Sequence, residues 1–243
     1  MNIIKLDAVD STNDFLKELS RSQITENFTT VTTKNQTKGK GQMGSTWNSE
    51  ASKNLIMSVL IKEVLKDISE IFDLNVATAL SVIQVLDQYN IPKLTIKWPN
   101  DIMSDNKKIG GILIENSFKS DNKIESVVGI GLNVNQKSFD NLPKASSMIA
   151  VTQKEYDVET ILERIIFQLK KNCGVILSNQ SEKLWYDYHK YLFKINNPMP
   201  FEDSNKIQFM GIIQGVTNEG KLQVILEDDA VKTFGIKEIQ MLF

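Results

Sequence analysis

The sequence predicts an α+β protein, in which a mixed, mostly antiparallel sheet packs with helices and a small β-unit follows. The chain has 243 residues, of which 41% are hydrophobic, a size close to the limit for one core. Short apolar segments alternate with helical patterns as far as residue 193. Short strand patterns separated by turns then follow one another to the end. We therefore expect a main unit, residues 1–193, and a small C-terminal unit, residues 194–243.

The main unit contains six predicted strands and four predicted helices. The strands are apolar, β-branched runs: residues 3–9, 28–33, 55–61, 94–98, 108–115 and 123–133. The helices span residues 11–19, 71–89, 158–177 and 182–191. Ser11 is the expected N-cap of the first helix. The second helix is apolar over most of its surface, so we expect it to be buried against the sheet. Residues 34–52 and 136–156 are predicted loops.

The C-terminal unit begins with a connector rich in asparagine and proline, residues 196–200. Four strands are predicted after it: residues 208–216, 221–226, 231–234 and 239–243. So short a unit forms too small a core to be stable alone, and we expect it to dock on the main unit.

Composition argues against several classes of function. The net charge of -2 gives no indication of nucleic-acid binding. Cys173 is the single cysteine, so no intramolecular disulfide is possible and a reducing compartment is expected. The N-terminal residues lack the apolar segment of a secretory signal, and no apolar run approaches the roughly 20 residues that span a bilayer. We expect a cytoplasmic protein with no membrane partner.

The sequence also lacks the residues for several kinds of catalysis. With His189 as the only histidine, expected at the surface, neither a zinc cluster nor a serine–histidine relay is available. Cys173 lies on an apolar-rich helix and is more typical of a core residue than of a nucleophile. Chemistry must therefore come from positioning and charge stabilisation.

The most informative motif is Lys-Trp-Pro-Asn-Asp at residues 97–101, followed by Lys108 and a glycine-containing apolar strand. Asp101 suits Mg²⁺, which takes one or two carboxylates plus substrate phosphates. Asn100 suits a phosphate or a ribose. Such residues also form ordinary turns, but a lysine entering a buried strand needs a reason. The motif favours a site for a phosphate, its metal ion and a small flat ligand.

A second motif is the glycine-rich segment at residues 36–47. Glycines let backbone amides approach a ligand closely, and lysines add charge for an anion. Residues 39–44 match the pattern GxGxxG, but a dinucleotide fingerprint needs a helix directly after the glycines. Here Trp47 and a strand follow, so we reject that interpretation. A flexible surface loop is the alternative.

Two further segments bear polar groups. Residues 11–13, Ser-Thr-Asn, open the first helix and suit either capping or the binding of a small amide-like ring. Gly129 and Gly131 lie in a predicted strand, where glycines mark close approach of a ligand or another chain. Asn133, at the end of that strand, is placed for polar recognition. A bulge followed by a turn is the alternative.

In order and spacing, these segments resemble the biotin protein ligases, also called biotin–[acetyl-CoA-carboxylase] ligases. The C-terminal strands are similar to that family's small β-barrel of the Src-homology-3 type. No winged helix of the repressor-type members precedes the motifs, so the sequence resembles a monofunctional ligase. The resemblance implies that biotin's carboxylate attacks the α-phosphate of MgATP, giving biotinyl-5'-AMP and pyrophosphate. A lysine of a biotin carboxyl carrier domain then takes the acyl group, so the enzyme needs no nucleophile of its own.

The resemblance also implies roles for individual residues. Catalysis is assigned to Lys108, Asp101 and Lys40, with Mg²⁺ at Asp101. The implied biotin-binding residues are Ser11, Thr12, Asn13, Gln36, Gly39, Lys40, Gly41, Gln42, Lys108 and Gly111. The implied ATP-binding residues are Gln42, Trp47, Asn100, Lys108 and Asn133.

The glycine-rich segment at residues 36–47, which we call the glycine loop, departs from the family pattern, which usually reads Gly-Arg-Gly-Arg. Lys40 keeps the charge at the first arginine position but loses the planar fork, and Gln42 loses the charge at the second. We hypothesise that this loop clamps the adenylate less tightly, or that Lys34 or Lys38 compensates.

Two other functions stay open on the sequence. A lipoate or octanoate ligase shares the fold, although a long acyl chain would need an apolar tunnel, whereas the polar set suits a ureido ring. A non-catalytic module that senses biotin or a nucleotide is the other. An exposed strand edge offers pairing either to a second copy, forming a homodimer, or to the carrier domain.

Overall fold

The computed structural model describes residues 2–119, 123–140 and 142–243. Its elements run along the chain as β1 (Ile3–Val9), α1 (Thr12–Ser22), β2 (Thr30–Gln36), β3 (Leu55–Lys62), α2 (Ile71–Asp87), β4 (Leu94–Lys97), β5 (Asp101–Ser104), β6 (Lys107–Phe118), β7 (Ile124–Leu132), α3 (Met148–Thr152), α4 (Val158–Leu177), α5 (Ser181–Lys190), β8 (Pro198–Asp203), β9 (Gln208–Val216), β10 (Leu222–Leu226), β11 (Val231–Phe234) and β12 (Ile239–Met241).

The strands form two sheets. Seven strands pair in the order β1-β2-β3-β7-β6-β5-β4, and five pair in the order β11-β10-β9-β8-β12. Strands β1 and β2 run parallel, whereas the other neighbours in both sheets run antiparallel. The predicted α+β class with a mixed, mostly antiparallel sheet is therefore confirmed.

The seven-stranded sheet is covered on both faces, which follows from the alternation of side chains along β3. Residues 55, 57, 59 and 61 are alternate positions of β3, so their side chains share one face. They pack in the large core with α2 and α4. Leu60 points the other way and packs with Leu16 of α1. Because successive strand residues face opposite sides, Ser58 shares the α1 face with Leu60. The face of the sheet that packs against α1 therefore contains a polar group as well as apolar ones.

Helix α2 lies in the core, as predicted. Most of its residues from Leu74 to Leu86 are buried, and it packs against α4 and α5. By length and composition alone, the segment Ile68–Asp87 could cross a membrane. Polar residues interrupt this segment, so it is not an unbroken apolar run, and more than half of it is buried inside the protein. In this fold the apolar surface is covered by protein, which explains why a core helix has such a composition.

The first helix begins as predicted. Ser11 is its N-cap, and the Ser11 hydroxyl oxygen accepts from the backbone N–H of Asp14 at 3.3 Å. The cap satisfies one of the free N–H groups of the first turn. It also fixes the start of the helix, and with it the direction of the Thr12 and Asn13 side chains.

Three elements were missed by the sequence analysis. Strand β5 was not predicted, and it forms because residues 98–100 make a tight connection that pairs Lys97 with Asp101. Helix α3 interrupts the predicted loop at residues 136–156, with Ser147 as its N-cap. Strand β8 occupies the predicted connector. Its prolines precede Phe201, the residue at which pairing with β12 begins. The missing proline N–H groups therefore remove no hydrogen bond from the β8–β12 ladder.

The second sheet docks on the first through specific contacts. The Trp98 indole N–H donates to the Gly220 carbonyl at 2.9 Å, within a buried environment. The backbone N–H of Val216 donates to Nε2 of His189 at 3.1 Å, and this bond joins α5 to β9. The histidine is partly buried. The expectation of a simple surface histidine was wrong. Cys173 is buried, as expected, and its burial raises the pKa of the thiol to about 12. The boundary between residues 193 and 194 stays a prediction.

Candidate active site

A cavity of about 270 Å³ opens where α1, the glycine loop and strands β5, β6 and β7 meet. Most of the residues that the sequence singled out line it: Ser11, Thr12, Asn13, Gln36, Lys40, Gly41, Gln42, Trp47, Asn100, Asp101, Lys108 and Gly111. The remaining lining includes apolar side chains of the sheet: Ile56, Met57, Ile112, Leu113 and Ile130. Segments from residue 11 to residue 131 therefore converge on one space.

Neutral polar side chains of the lining, which we call the polar wall, include Thr12, Asn13 and Gln36. Thr12 and Asn13 are buried, with exposed fractions of 3% and 4%. The Thr12 backbone N–H donates to Gln36 Oε1 at 2.8 Å. Asn13 Nδ2 donates to Glu115 Oε2 at 2.8 Å. These groups are neutral and fixed by hydrogen bonds within the protein.

The charged side chains of the lining, which we call the charged wall, are Lys40, Asp101 and Lys108. Lys108 Nζ lies 2.5 Å from Asp101 Oδ1, and Lys97 Nζ lies 3.6 Å from Asp101 Oδ2. A register shift between Ile102 and Met103 allows this approach, because a bulge in the β5–β6 pair re-aims the side chains beside it. The pairing of Lys108 with Asp101 explains how a lysine is tolerated at the start of a buried strand.

An ion pair joins the glycine loop to α1, and a second pair within α1 shares the same carboxylate. Lys40 Nζ lies 2.5 Å from Asp14 Oδ2, and Lys17 Nζ lies 3.0 Å from Asp14 Oδ1. Burial raises the pKa of Asp14, but hydrogen bonds from Lys40 and Lys17 outweigh it, so the pKa is lowered overall. Lys40 is therefore paired with a carboxylate beside the polar wall.

The compensation suggested for Lys34 or Lys38 finds no support in their placement. Lys34 pairs with Asp7 and Lys38 pairs with Asp10, each at 2.8 Å. Neither lysine is among the described residues that line the cavity. Lys40 is the lysine of the glycine loop that reaches it.

The strand glycines are required by close approaches of two cavity side chains. A Cβ atom at Gly129 would lie 2.4 Å from Asn13 Oδ1, and one at Gly131 would lie 2.5 Å from the Trp47 indole. The sequence analysis expected a ligand or another chain at these glycines, whereas side chains of the same chain make the approach. The Trp47 indole lies over the strand pair Gly111–Gly131, and its N–H is buried without a hydrogen-bond partner among the described residues.

Two predicted site residues do not line the cavity. Asn133 is buried, and its amide donates to the Ser146 carbonyl at 2.9 Å, so the side chain serves the following loop. Gly39 lies next to the lining, where its carbonyl accepts from the Trp47 backbone N–H at 3.0 Å. Asn100 does line the cavity, and its side-chain amide donates to the Ile112 carbonyl.

Sequence reasoning missed Ser58, Glu115 and Asp14, which support the site from behind. Ser58 is fully buried, and its hydroxyl oxygen lies 2.6 Å from Asn13 Oδ1 and 2.8 Å from Thr12 Oγ1. A signal was present: Ser58 is the polar residue in the otherwise apolar run of residues 55–61. Because a buried hydroxyl needs a hydrogen-bond partner, a serine in a buried strand predicts a polar side chain packed against it.

The acidic residue of the cavity lining fits a cation that is also bound by oxygens of a ligand. Among the described residues, no group of three or more His, Cys, Asp or Glu side chains could hold a metal ion, and Asp101 is the acidic residue of the lining. Mg²⁺ bound to a nucleotide takes phosphate oxygens and water in addition to one or two carboxylates. A single carboxylate beside lysines therefore fits Mg²⁺ with a nucleotide and does not fit a metal held by protein alone.

Comparisons with known proteins agree with this arrangement. The sequence profile of the Biotin/lipoate A/B protein ligase family matches residues 6–135. The bifunctional ligase/repressor BirA of Bacillus subtilis is 27% identical over 242 residues, which cover 98% of this chain and 72% of that protein. The biotin--[acetyl-CoA-carboxylase] ligase of Mycobacterium tuberculosis is 27% identical over 190 residues, which cover 77% of this chain and 69% of that protein.

A solved structure extends the likeness to the whole fold. The biotin protein ligase from Aquifex aeolicus in complex with biotin and ATP superposes with a TM-score of 0.81 at 25% identity, covering 99% of this chain and 98% of that one. Since the matched family segment contains α1, the glycine loop and the Lys97–Asp101 and Lys108 strands that form the cavity, this chain belongs to the biotin/lipoate A/B protein ligase family.

Proposed function

We propose that this chain is an ATP-dependent biotin protein ligase, which activates biotin to biotinyl-5'-AMP and transfers the biotinyl group to a lysine of a biotin carboxyl carrier domain. One observation supports this most strongly: a neutral polar wall and the Lys108–Asp101 pair line the same cavity. The polar wall suits a ureido ring, and the apolar strand residues suit an alkyl chain. The lysines suit the carboxylate and phosphate that must meet.

The first step joins two anions, so its barrier is largely electrostatic. A bond forms between a carboxylate oxygen of biotin and the α-phosphorus of ATP, and the bond from that phosphorus to the bridging oxygen breaks. The leaving pyrophosphate takes the electron pair. Lys108 is placed to reduce the repulsion between the carboxylate and the phosphate, and Lys40 adds positive charge from the loop. Asn100 and Trp47 are assigned to the nucleotide side.

Asp101 is the residue that would hold Mg²⁺. When bound, the metal would neutralise phosphate charge, and Asp101 would anchor it on a rigid strand. In the free protein Lys108 and Lys97 neutralise the same carboxylate, so its charge is balanced before the nucleotide arrives.

The second step needs no nucleophile from this chain, because the carrier lysine attacks the acyl carbon and AMP leaves. Cys173 is buried and its pKa is raised to about 12, which keeps it as a thiol and away from acyl chemistry. The chain's contribution is to hold the adenylate and exclude water. We place this reaction in the cytoplasm, with the carrier domain of a biotin-dependent carboxylase as partner.

The test is transfer of radiolabelled biotin to a purified carrier domain, with and without ATP. We expect label on the carrier with ATP and none without it, and pyrophosphate release that depends on biotin. Unlabelled lipoate and octanoate serve as competitors and should not reduce labelling. Transfer of octanoate in place of biotin would assign the chain to the lipoate branch of the family. Binding without pyrophosphate release would identify a sensor in place of an enzyme.

A further inference from the structure

The hydroxyl of Ser58 lies behind the cavity and is not among the described residues that line it. It is fully buried on β3, on the face that packs against α1. Its neighbours are the side chains of Thr12 and Asn13, at 2.8 and 2.6 Å. A position so close to two cavity residues, yet hidden from the cavity, can affect a ligand through those residues alone.

The donors and acceptors around Ser58 can be assigned by starting from Glu115. Glu115 accepts from Asn13 Nδ2 at 2.8 Å and from Lys17 Nζ at 2.8 Å. An ionised carboxylate only accepts, so the nitrogen end of the Asn13 amide must face Glu115. The oxygen end, Oδ1, therefore faces Ser58.

The orientation of Asn13 then determines the use of the Ser58 proton. Asn13 Oδ1 can only accept, so the Ser58 hydroxyl donates to it at 2.6 Å. The Ser58 oxygen also lies 2.8 Å from Thr12 Oγ1, whose hydroxyl lies 3.1 Å from Gln36 Oε1 as well, so the Thr12 proton serves one of these two contacts. The Thr12 backbone N–H occupies Gln36 Oε1 at 2.8 Å, which leaves Gln36 Nε2 as a donor on a cavity residue.

We propose that Ser58 is a positioning residue for biotin recognition, which orients the hydrogen-bonding groups of Thr12 and Asn13 from behind the cavity. The inference rests on the proposed function and deepens it. A ureido ring offers one acceptor oxygen and two donor N–H groups, so it needs donors and acceptors at defined places. With Ser58 at the oxygen end and Glu115 at the nitrogen end, the Asn13 amide has one orientation before the ligand arrives, and no binding free energy is lost in selecting it.

The test compares Ser58→Ala with Ser126→Ala, a matched control. Ser126 is also buried in a strand of the same sheet and donates to an asparagine, Asn116 Oδ1, at 2.7 Å. It is not among the described residues that line the cavity, and its hydroxyl donates to Asn116 and not to the polar wall. Both substitutions remove a buried hydroxyl and leave an asparagine oxygen unpaired, so we expect similar losses of thermal stability.

Steady-state kinetics separate a positioning role from a structural one. We expect Ser58→Ala to raise the KM for biotin about tenfold, the effect of leaving one buried polar group unsatisfied. The kcat at saturating biotin and the KM for ATP should stay within about twofold of wild type, because those terms do not involve the polar wall. Titration of biotin into the nucleotide-free enzyme should show the same loss of affinity. Ser58→Cys retains a weak donor and should give an intermediate KM.

The outcomes are distinguishable. Equal KM values for biotin in Ser58→Ala and Ser126→Ala would overturn the proposal, as would a parallel fall of all kinetic parameters in Ser58→Ala alone. A wild-type enzyme that does not transfer biotin would instead reject the proposed function. Should Ser58→Ala fail to fold, Glu115→Ala, at a side chain 31% exposed, tests the same chain of hydrogen bonds. It should raise the KM for biotin about threefold, and an unchanged KM would count against the proposal.

Discussion

The polar wall and the charged wall of the cavity differ in burial and in how their groups are held. Thr12 and Asn13 are almost fully buried and engaged in hydrogen bonds, whereas the Lys108 and Lys40 side chains are 36% and 49% exposed. Neutral groups can be buried cheaply once each is hydrogen-bonded, but charges are costly to remove from water. The protein therefore preorganises its neutral recognition groups and keeps its cations near solvent, paired with aspartates.

This difference predicts two kinds of behaviour on substitution. Changes in the polar wall should affect affinity for biotin, because its groups meet the ligand in their final orientation. Changes in the charged wall should affect the chemical step, because those charges exchange protein partners for substrate anions during the reaction. Ser58→Ala tests the first part of this contrast, and the four predictions below test the second, from the largest expected effect to the smallest.

The largest effect is expected for Lys108→Ala. Adenylation, measured as biotin-dependent pyrophosphate release, should fall about 10²- to 10³-fold, as on removal of one charge-stabilising group. The control is Lys107→Ala, since Lys107 is the exposed neighbour on the same strand. Normal adenylation by Lys108→Ala would remove this lysine from the mechanism and with it the contrast between the walls.

The next effect is expected for Asp101→Ala. If this carboxylate holds Mg²⁺, adenylation should fall about 10²-fold, while transfer from supplied biotinyl-AMP should suffer much less. Asp105→Ala is the control, because Asp105 pairs with Lys93 at 3.3 Å at an exposed site on the same hairpin. An equal fall in both steps would show that Asp101 acts mainly by holding the lysines and that the metal role is wrong.

A smaller effect is expected for Gln42→Arg, which restores a cation at the loop position that departs from the family pattern. Biotinyl-AMP should dissociate about threefold more slowly, because a partly exposed ion pair contributes at most about 1 kcal/mol to the binding free energy. The measurement is release of labelled adenylate from preloaded enzyme. Lys38→Arg is the control, since Lys38 pairs with Asp10 outside the cavity lining. Equal dissociation rates for Gln42→Arg and wild type would rule out a clamping role for residue 42.

The smallest effect concerns pH and Asp14. Hydrogen bonds from Lys40 and Lys17 exceed the effect of burial and lower the pKa of Asp14 in the folded state. A lowered pKa gives stability that is present above the unfolded value, about 3.9, and is lost as pH falls through the folded value. Urea midpoints measured below about pH 4 should therefore fall less steeply in Asp14→Asn than in wild type.

The contribution of Asp14 should be small, because its side chain is 41% exposed and solvent screens the pairs. Asp7→Asn provides the comparison at a fully exposed pair with Lys34 and should change the slope still less. Identical slopes for Asp14→Asn and wild type would mean that the loop is not held to α1 by this carboxylate.

Most long elements could be predicted, because their patterns are local. Helix α4 begins and ends where the apolar spacing predicted, and Ser11 caps α1 as its residue type indicated. The short elements could not, because their stability comes from partners distant in sequence. Strand β5 has four residues and exists through its ladders with β4 and β6, and β8 contains prolines that favour a connector until β9 and β12 pair with it.

The candidate site divides in the same way. Lysines, glycines and the Lys-Trp-Pro-Asn-Asp run were visible in the sequence, because charge and backbone freedom are properties of single residues. The sequence also placed Asn133 among the binding residues, but tertiary structure directs its amide to Ser146. Ser58, Glu115 and Asp14 acquire their roles only when β3, β6 and α1 meet, as the strand face and the helix face that they occupy are unknown until the sheet forms.

Residue types along the chain thus established the fold class, the core helix and the chemical character of the cavity, since hydrophobic periodicity and charge act locally. Which groups share a hydrogen bond was decided by packing. A hydrogen bond requires its two atoms to lie about 3 Å apart, and for Ser58 and Asn13 that distance is set by a strand and a helix whose sequences are 45 residues apart.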